Sequence, residues 1–172
     1  MPYVTGPPQE PSPSDAGAND SSFEIEDSLG YLVNRVARNF AKALSHELAP
    51  YDVTIAQWAV LVFLWVEDGP TQRQLSRQVA IDDATMARTL DRMERDGLVR
   101  RARNQEDRRQ INIHLTDRGR ELRDPLLPLA VRVNATATEG FSDEERDLVR
   151  DLLRRMIAAL EPQPSSTEQE SL

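Results

Sequence analysis

The residue types and spacings with the clearest chemistry belong to arginine. Of the 21 basic residues, 20 are Arg and one is Lys42. Arg100, Arg101, Arg103, Arg108 and Arg109 fall within ten positions. A guanidinium is a planar fork of donors that fits a phosphate or the O6/N7 edge of guanine. It also gains from the negative potential of a narrow, A·T-rich minor groove. Thr85, Arg88, Thr89 and Arg92 form a second set at helical spacing, expected to project outward from one helix. There the arginines suit guanine, the threonines a thymine methyl or a phosphate, and the preceding Asp83 can accept from cytosine N4. Thr71 and Gln72 open a shorter helix, whose free N–H groups suit a phosphate. A plain N-cap explains Thr71 equally well.

Other chemistries lack their residues. There is no cysteine, which excludes disulfides, thiolate metal ligands, cysteine nucleophiles and thiol redox sensing. The only histidines, His46 and His114, are far apart in the chain, so a histidine-based zinc site is not expected. The seven glycines are all isolated, which leaves neither a phosphate-binding loop nor a dinucleotide fingerprint. Ser45 and His46 are neighbours on a helix and point apart. No catalytic residue, metal or cofactor is therefore expected, and the chain does not read as an enzyme.

The net charge of −8 conceals its distribution. Residues 1–28 carry six acids and no base, and residues 161–172 carry three acids and no base. Between them, residues 71–120 hold 12 arginines against eight acids. Local charge, not the total, decides nucleic-acid binding. The longest uncharged run, Val53 to Val66, is too short for a membrane span of about 20 residues. The first basic residue is Arg35, so no signal peptide is expected. The expectation is a cytoplasmic protein that makes no use of a membrane.

The elements that must position these side chains follow from periodicity. Residues 1–22, rich in Pro and acids, and the acidic 161–172 read as disordered tails. Leu29, Leu32, Val33, Val36, Phe40, Leu44 and Leu48 predict one helix from about Phe23 to Leu48, longer than one core needs and suggestive of a partner chain. Thr54 caps a nearly all-apolar helix to about Glu67, the expected buried centre. Helices over about 72–79 and 84–96 follow, the second N-capped by Asp83 and stopped by Gly97, with Leu90 and Met93 inward. Leu98–Arg103 and Gln110–Leu115 predict a hairpin across a turn at 104–107. Two short helices and a charged hairpin make a winged helix-turn-helix. Thr116 caps a helix over about 117–138 that Pro125 and Pro128 should kink. Ser142 and Glu145 form a capping box opening a last helix to Leu160.

In this order and spacing, several short motifs resemble the MarR family of bacterial transcription factors (multiple-antibiotic-resistance regulators). They are Thr54-x-x-Gln57-Trp58-x-x-Leu61, Thr71-Gln72-x-x-Leu75 and Thr85-x-x-Arg88-x-Leu90-Asp91-Arg92-Met93-Glu94-x-x-Gly97-Leu98-Val99-x-Arg101, then Asp107-Arg108-Arg109 and Leu115-Thr116-x-x-Gly119. The resemblance spans roughly Leu29 to Leu160. The acidic pair Asp82-Asp83 departs from the neutral or small residues common there. The resemblance implies a mainly α fold with a small β-hairpin wing. It further implies a homodimer on double-stranded DNA, acting as a repressor or, less often, an activator. The division would be a dimerisation helix at 23–53, a winged helix-turn-helix at 54–116 and C-terminal dimerisation helices at 117–160. Asp107 would pair with an arginine to fix the wing. A small-molecule effector would lie between the dimer region and the winged helix. Arg38, Asn39 and His46, beside the apolar wall that holds Trp58, suggest an aromatic acid or aromatic acyl-CoA. The alternative is a winged helix used for protein contacts alone.

Overall fold

The computed structural model describes residues 24–104 and 107–161. Both expected tails, apart from Glu161, and Gln105-Glu106 of the wing turn lie outside the described residues. The chain divides into two units, one ending at Arg38 and the other beginning at Asn39. The helices are α1 (Leu29–Leu48), α2 (Ile55–Leu64), α3 (Gln72–Val79), α4 (Asp83–Arg95), α5 (Asp117–Glu121), α6 (Arg123–Ala137) and α7 (Asp143–Leu160). The strands β1 (Val99–Arg103) and β2 (Ile111–Leu115) lie between α4 and α5. The fold is mainly helical with a two-stranded wing, as the periodicity implied.

In the first unit, α1 starts at Leu29, later than expected. Ile25–Asp27 form a separate 3-10 turn, and Ser28 Oγ accepts from the Tyr31 N–H at 3.2 Å, so the hydroxyl sets the helix start. Leu29, Leu32, Val33 and Val36 remain exposed.

The second unit holds the core. Val60, Leu61 and Leu64 of α2, Leu75 of α3, and Met86, Leu90 and Met93 of α4 are buried with Val99, Ile113 and Leu115 of the strands. Leu126 and Leu129 of α6 complete it. Two capping boxes fix the starts of α2 and α3: Thr54 with Gln57, and Thr71 with Gln74. The Ser142–Glu145 box opens α7 as expected. Gln57 is buried, and its amide nitrogen donates to Asp96 Oδ2 at 2.8 Å, tying α2 to the end of α4. Burying this polar group is tolerable because it is bonded.

Gly97, at φ +69°, ends α4. Its N–H donates to Glu94 O, while that of Leu98 donates to Met93 O, which is the Schellman pattern. The same pair of bonds closes α3 (Ala80 N–H to Arg77 O, Ile81 N–H to Ser76 O), but with alanine at φ +58°. That turn aims α4 relative to α3.

Further boundaries differ from expectation. The N-cap of α4 is Asp82, which accepts from the Thr85 N–H at 2.8 Å; Asp83 is already helical. The helix after the wing, expected over about 117–138 with a kink at the prolines, divides at Leu122 into α5 and α6. Pro125 has no N–H, and in an unbroken helix its ring would clash with the carbonyl of Glu121, four residues earlier. Pro128 is accommodated within α6.

Candidate nucleic-acid interface

The interface is built on α4, the wing and the start of α3. On α4, Asp82, Asp83, Arg88 and Arg92 are exposed and Thr85 is half-buried. Asp82 accepts from the Thr85 hydroxyl at 2.7 Å as well as from its N–H. Arg88 Nη2 donates to Thr85 Oγ1 at 3.0 Å. The Thr85 hydroxyl and then its N–H hold the Asp82 carboxyl below its ordinary pKa. Thr89 does not project outward as expected. It is buried beside Met86, Leu90 and Met93, and its hydroxyl donates back to Thr85 O at 2.9 Å. Four residues after Thr85, it satisfies itself on the previous turn and falls on the inner face.

The wing is an antiparallel pair in which Val99 faces Leu115 and Arg103 faces Ile111. The Ile113 N–H also donates to Pro70 O at 2.9 Å, and Asn112 Nδ2 to Gly69 O at 2.8 Å, so the segment before α3 seats the wing's second strand. At the turn, Asp107 accepts from the Arg109 N–H and from Gln110 Nε2, both at 3.0 Å. Asp107 was expected to pair with an arginine side chain. Among the described residues, the ion pairs leave it out, and it fixes the turn through a backbone donor instead. A carboxylate two residues before an N–H closes this short turn locally.

The arginines fall into two groups. Arg101 reaches Asp91 and Glu94 of α4, each at 2.7 Å, and clamps the wing to that helix. Burial works to lower its pKa, but the bonds to these carboxylates outweigh it and hold the guanidinium above the usual arginine value. Arg118 donates to Asp96 O, and Arg120 pairs with Asp68, whose other oxygen receives the Leu115 N–H. By contrast, among the described residues no ion pair engages Arg73, Arg77, Arg88, Arg92, Arg103, Arg108 or Arg109. Each of these seven is exposed.

Arg73, Arg77 and Arg109 line two clefts. One, of about 390 Å³, is lined by Thr71, Gln72 and Arg73 from the α3 start and by Arg109, Gln110 and Ile111 from the wing. The other, of about 370 Å³, lies along Arg73, Ser76, Arg77 and the turn Ala80–Asp83. Thr71 caps α3 and also lines the first cleft. Gln72 Nε2 donates to Asp83 O at 3.4 Å, across the helix-turn-helix. Arg73 and Arg77 were not singled out from the sequence. Their spacing of four on the outer face of a short helix was the available signal.

The expected effector residues do not line either cleft. Arg38, at the end of the first unit, is exposed. In the second unit Asn39 and His46 are exposed, while Trp58 is half-buried against the core, edge-to-face with Trp65 at 5.6 Å between ring centroids.

A winged helix carrying unpaired arginines on one helix and on the wing has known relatives. A sequence profile of the MarR family matches residues 53–111. The HTH-type transcriptional regulator TtmR of Methylorubrum extorquens (strain PA1) is 32% identical over 165 residues, which is 96% of this chain and 83% of that protein. This chain belongs to the MarR family. The HTH-type transcriptional regulator MgrA of Staphylococcus aureus is 34% identical over 138 residues, 80% of this chain and 92% of its own. Among solved structures, the transcriptional repressor CouR bound to a 23-mer DNA duplex superimposes with a TM-score of 0.72 at 28% identity, covering 81% of this chain and 99% of that one. This MarR-family chain is thus a DNA-binding transcriptional regulator of the winged-helix type, and its named relatives are transcriptional regulators. Among its described residues no single helix is long and apolar enough to cross a membrane.

Proposed function

We propose that this regulator is a ligand-responsive repressor that binds a palindromic operator as a homodimer. The observation that carries this reading is the division of its arginines. Arg101 and Arg120, which tie elements together, are paired with carboxylates, whereas Arg73 and Arg77 of α3, Arg88 and Arg92 of α4, and Arg103, Arg108 and Arg109 of the wing have no ion pair among the described residues and are exposed. A cation kept free by the fold is available to a polyanion.

In this reading α4 enters the major groove. Arg88 reads guanine, Arg92 follows one turn later, and Asp83 accepts from cytosine N4. Thr71, Gln72 and Arg73 sit against phosphate, and Arg103, Arg108 and Arg109 follow the minor groove beside it. Asp107 serves the wing and not the DNA. The exposed apolar stripe of α7, Leu148, Leu152, Ile157 and Leu160, and that of α1 fit coverage by a second copy. Residues 23–53 and 117–160 then form the dimer region, with 54–116 as the DNA-binding part. Two copies of α4 would meet half-sites about 10 base pairs apart, centre to centre. CouR, a repressor in complex with duplex DNA, supports the sign of regulation. The protein acts in the cytoplasm by binding, without catalysis.

The effector would be an aromatic acid or aromatic acyl-CoA held near Arg38, Asn39, His46 and Trp58. It releases DNA by favouring a dimer geometry that no longer fits the operator, which requires different affinities for the two states. Calorimetry against phenolic acids and their CoA thioesters, with anisotropy of bound DNA, tests this part. Heat together with DNA release supports it, and neither would end it. Docking is tested with Arg88→Ala, expected to cost about 1–3 kcal/mol of binding to the preferred site and to relax the sequence preference. An unchanged dissociation constant and preference would overturn the docking.

A further inference from the structure

We infer that Asp82 and Thr85 act as positioning residues for Arg88, forming a fixed relay that aims the guanidinium which discriminates between bases. The inference rests on the DNA-binding reading above. It assigns Thr85 a different role from the direct contact expected of it.

The hydrogen bonds fix the direction of the relay. A threonine hydroxyl has one proton and two lone pairs. Thr85 Oγ1 lies 2.7 Å from Asp82 Oδ2, a carboxylate oxygen that can only accept. The proton therefore goes to Asp82, and towards Arg88 Nη2, 3.0 Å away, the hydroxyl can only accept. Asp82 is itself fixed, because its Oδ1 takes the Thr85 N–H at 2.8 Å as the cap of α4. Three residues on one turn thus form a chain from carboxylate to hydroxyl to guanidinium, anchored to the helix backbone at its acidic end. The Asp82 carboxyl lies below its ordinary value, chiefly through the Thr85 hydroxyl, so the acceptor is ionised at neutral pH.

The consequence is pre-organisation. Arg88 is exposed, and a free arginine on a helix surface samples many rotamers that docking must freeze. The bond to Thr85 takes one of its five N–H groups and leaves the others for a base edge. It also removes the Thr85 hydroxyl as a donor to phosphate. The acidic residue at the head of this helix, unfavourable near a phosphate, gains a reason to be there. It orients an arginine through an intermediary without touching DNA.

The test uses the full chain and its variants Thr85→Val, Thr85→Ser, Asp82→Asn and Arg88→Ala. The probe is a labelled duplex pool with a randomised 30-base-pair core, from which the unmodified protein selects a motif. Anisotropy then gives the affinity ratio between the enriched duplex and the same duplex with its invariant guanines exchanged for adenine. Thr85→Val is expected to lose about three- to tenfold of that ratio, the net worth of one typical hydrogen bond. Thr85→Ser, which keeps the hydroxyl, should retain the ratio. Asp82→Asn keeps a capping oxygen but frees the hydroxyl proton, so it should lose part of the ratio; it carries the test should Thr85→Val not fold. A Thr85→Val ratio equal to that of the unmodified protein overturns the relay. So does a Thr85→Ser ratio as low as that of Thr85→Val. If Arg88→Ala keeps the full ratio, or if no motif is enriched, the DNA-docking reading fails and the relay with it.

Discussion

Replacing Gly119 with alanine should destabilise this protein, although helix propensity alone argues the reverse. Gly119 lies inside α5, where alanine is ordinarily favoured over glycine by about 1 kcal/mol. Here a Cβ would stand 2.2 Å from the carbonyl oxygen of Leu98 and 3.1 Å from a methyl of Leu115. The obstacle is backbone at the end of α4, which is fixed by the Schellman bonds at Gly97 and cannot rotate aside. Thr116 adds to the constraint, accepting from the Gly119 N–H while its own hydroxyl reaches Gly97 O at 2.6 Å. The helix must therefore retreat by more than an ångström. That retreat strains the bond from Trp65 Nε1 to Gly119 O, now 2.9 Å. Overpacking against a rigid group costs about 3 kcal/mol and the hydrogen bond about 1 kcal/mol. After the propensity gain, a net loss of about 2–4 kcal/mol is expected. Urea unfolding followed by tryptophan fluorescence measures it directly, because the only tryptophans are Trp58 and Trp65. Protein concentration must be held fixed, since self-association would shift the midpoint. A Gly119→Ala variant as stable as the parent, or more so, would refute the packing argument.

Other consequences are smaller. Arg101→Ala should cost about 1 kcal/mol of stability by releasing Asp91 and Glu94 in a half-exposed setting, and Arg101→Lys should recover less than half, because one ammonium cannot fork to both carboxylates; thermal midpoints and a double-mutant cycle with Glu94 check this. Ala80→Gly should leave stability unchanged or raise it by up to about 1 kcal/mol, since the left-handed position that closes α3 is strained for alanine; a clear loss in urea unfolding would contradict it. Asp82 has a folded pKa below its ordinary 3.8, so its stabilising cap is complete above that value and is lost as pH falls through the lowered folded value. Hydrogen exchange of the Thr85 amide, compared between pH 5 and lower pH, should show protection fading only in that acid range, and fading already near neutrality would contradict it.

Much of the fold could be read from the chain because its punctuation is local. Thr54, Thr71, Thr116 and Ser142 cap the helices expected of them, and Gly97 ends α4 in the left-handed conformation. These depend on spacings of three to five residues. Failures came where two neighbours could serve one role or where a contact crossed the chain. Asp82 and Asp83 both suit an N-cap, and Thr89, three residues after Met86 and four before Met93, falls on the buried face although Arg88 and Arg92 beside it do not. Pro125 announced a kink, and because it has no N–H for the Glu121 carbonyl the break falls just upstream, at Leu122. The pairing of Arg101 with Asp91 and Glu94, which separates structural from free arginines, joins residues seven and ten positions apart on different elements. No local pattern distinguishes it from the other arginines of the wing.

The most direct measurement is fluorescence anisotropy of the protein on labelled duplexes tiling the DNA upstream of its own gene, at low and moderate salt. The account predicts tight binding confined to one palindromic tile. Raising salt from about 50 to 200 mM should weaken it by about three to five orders of magnitude, as expected for six to ten phosphate contacts. Binding that ignores salt would contradict it, and so would a complete absence of binding at the lower salt; either result would turn the unpaired arginines into an ordinary solvated surface and the winged helix into a protein-contact module.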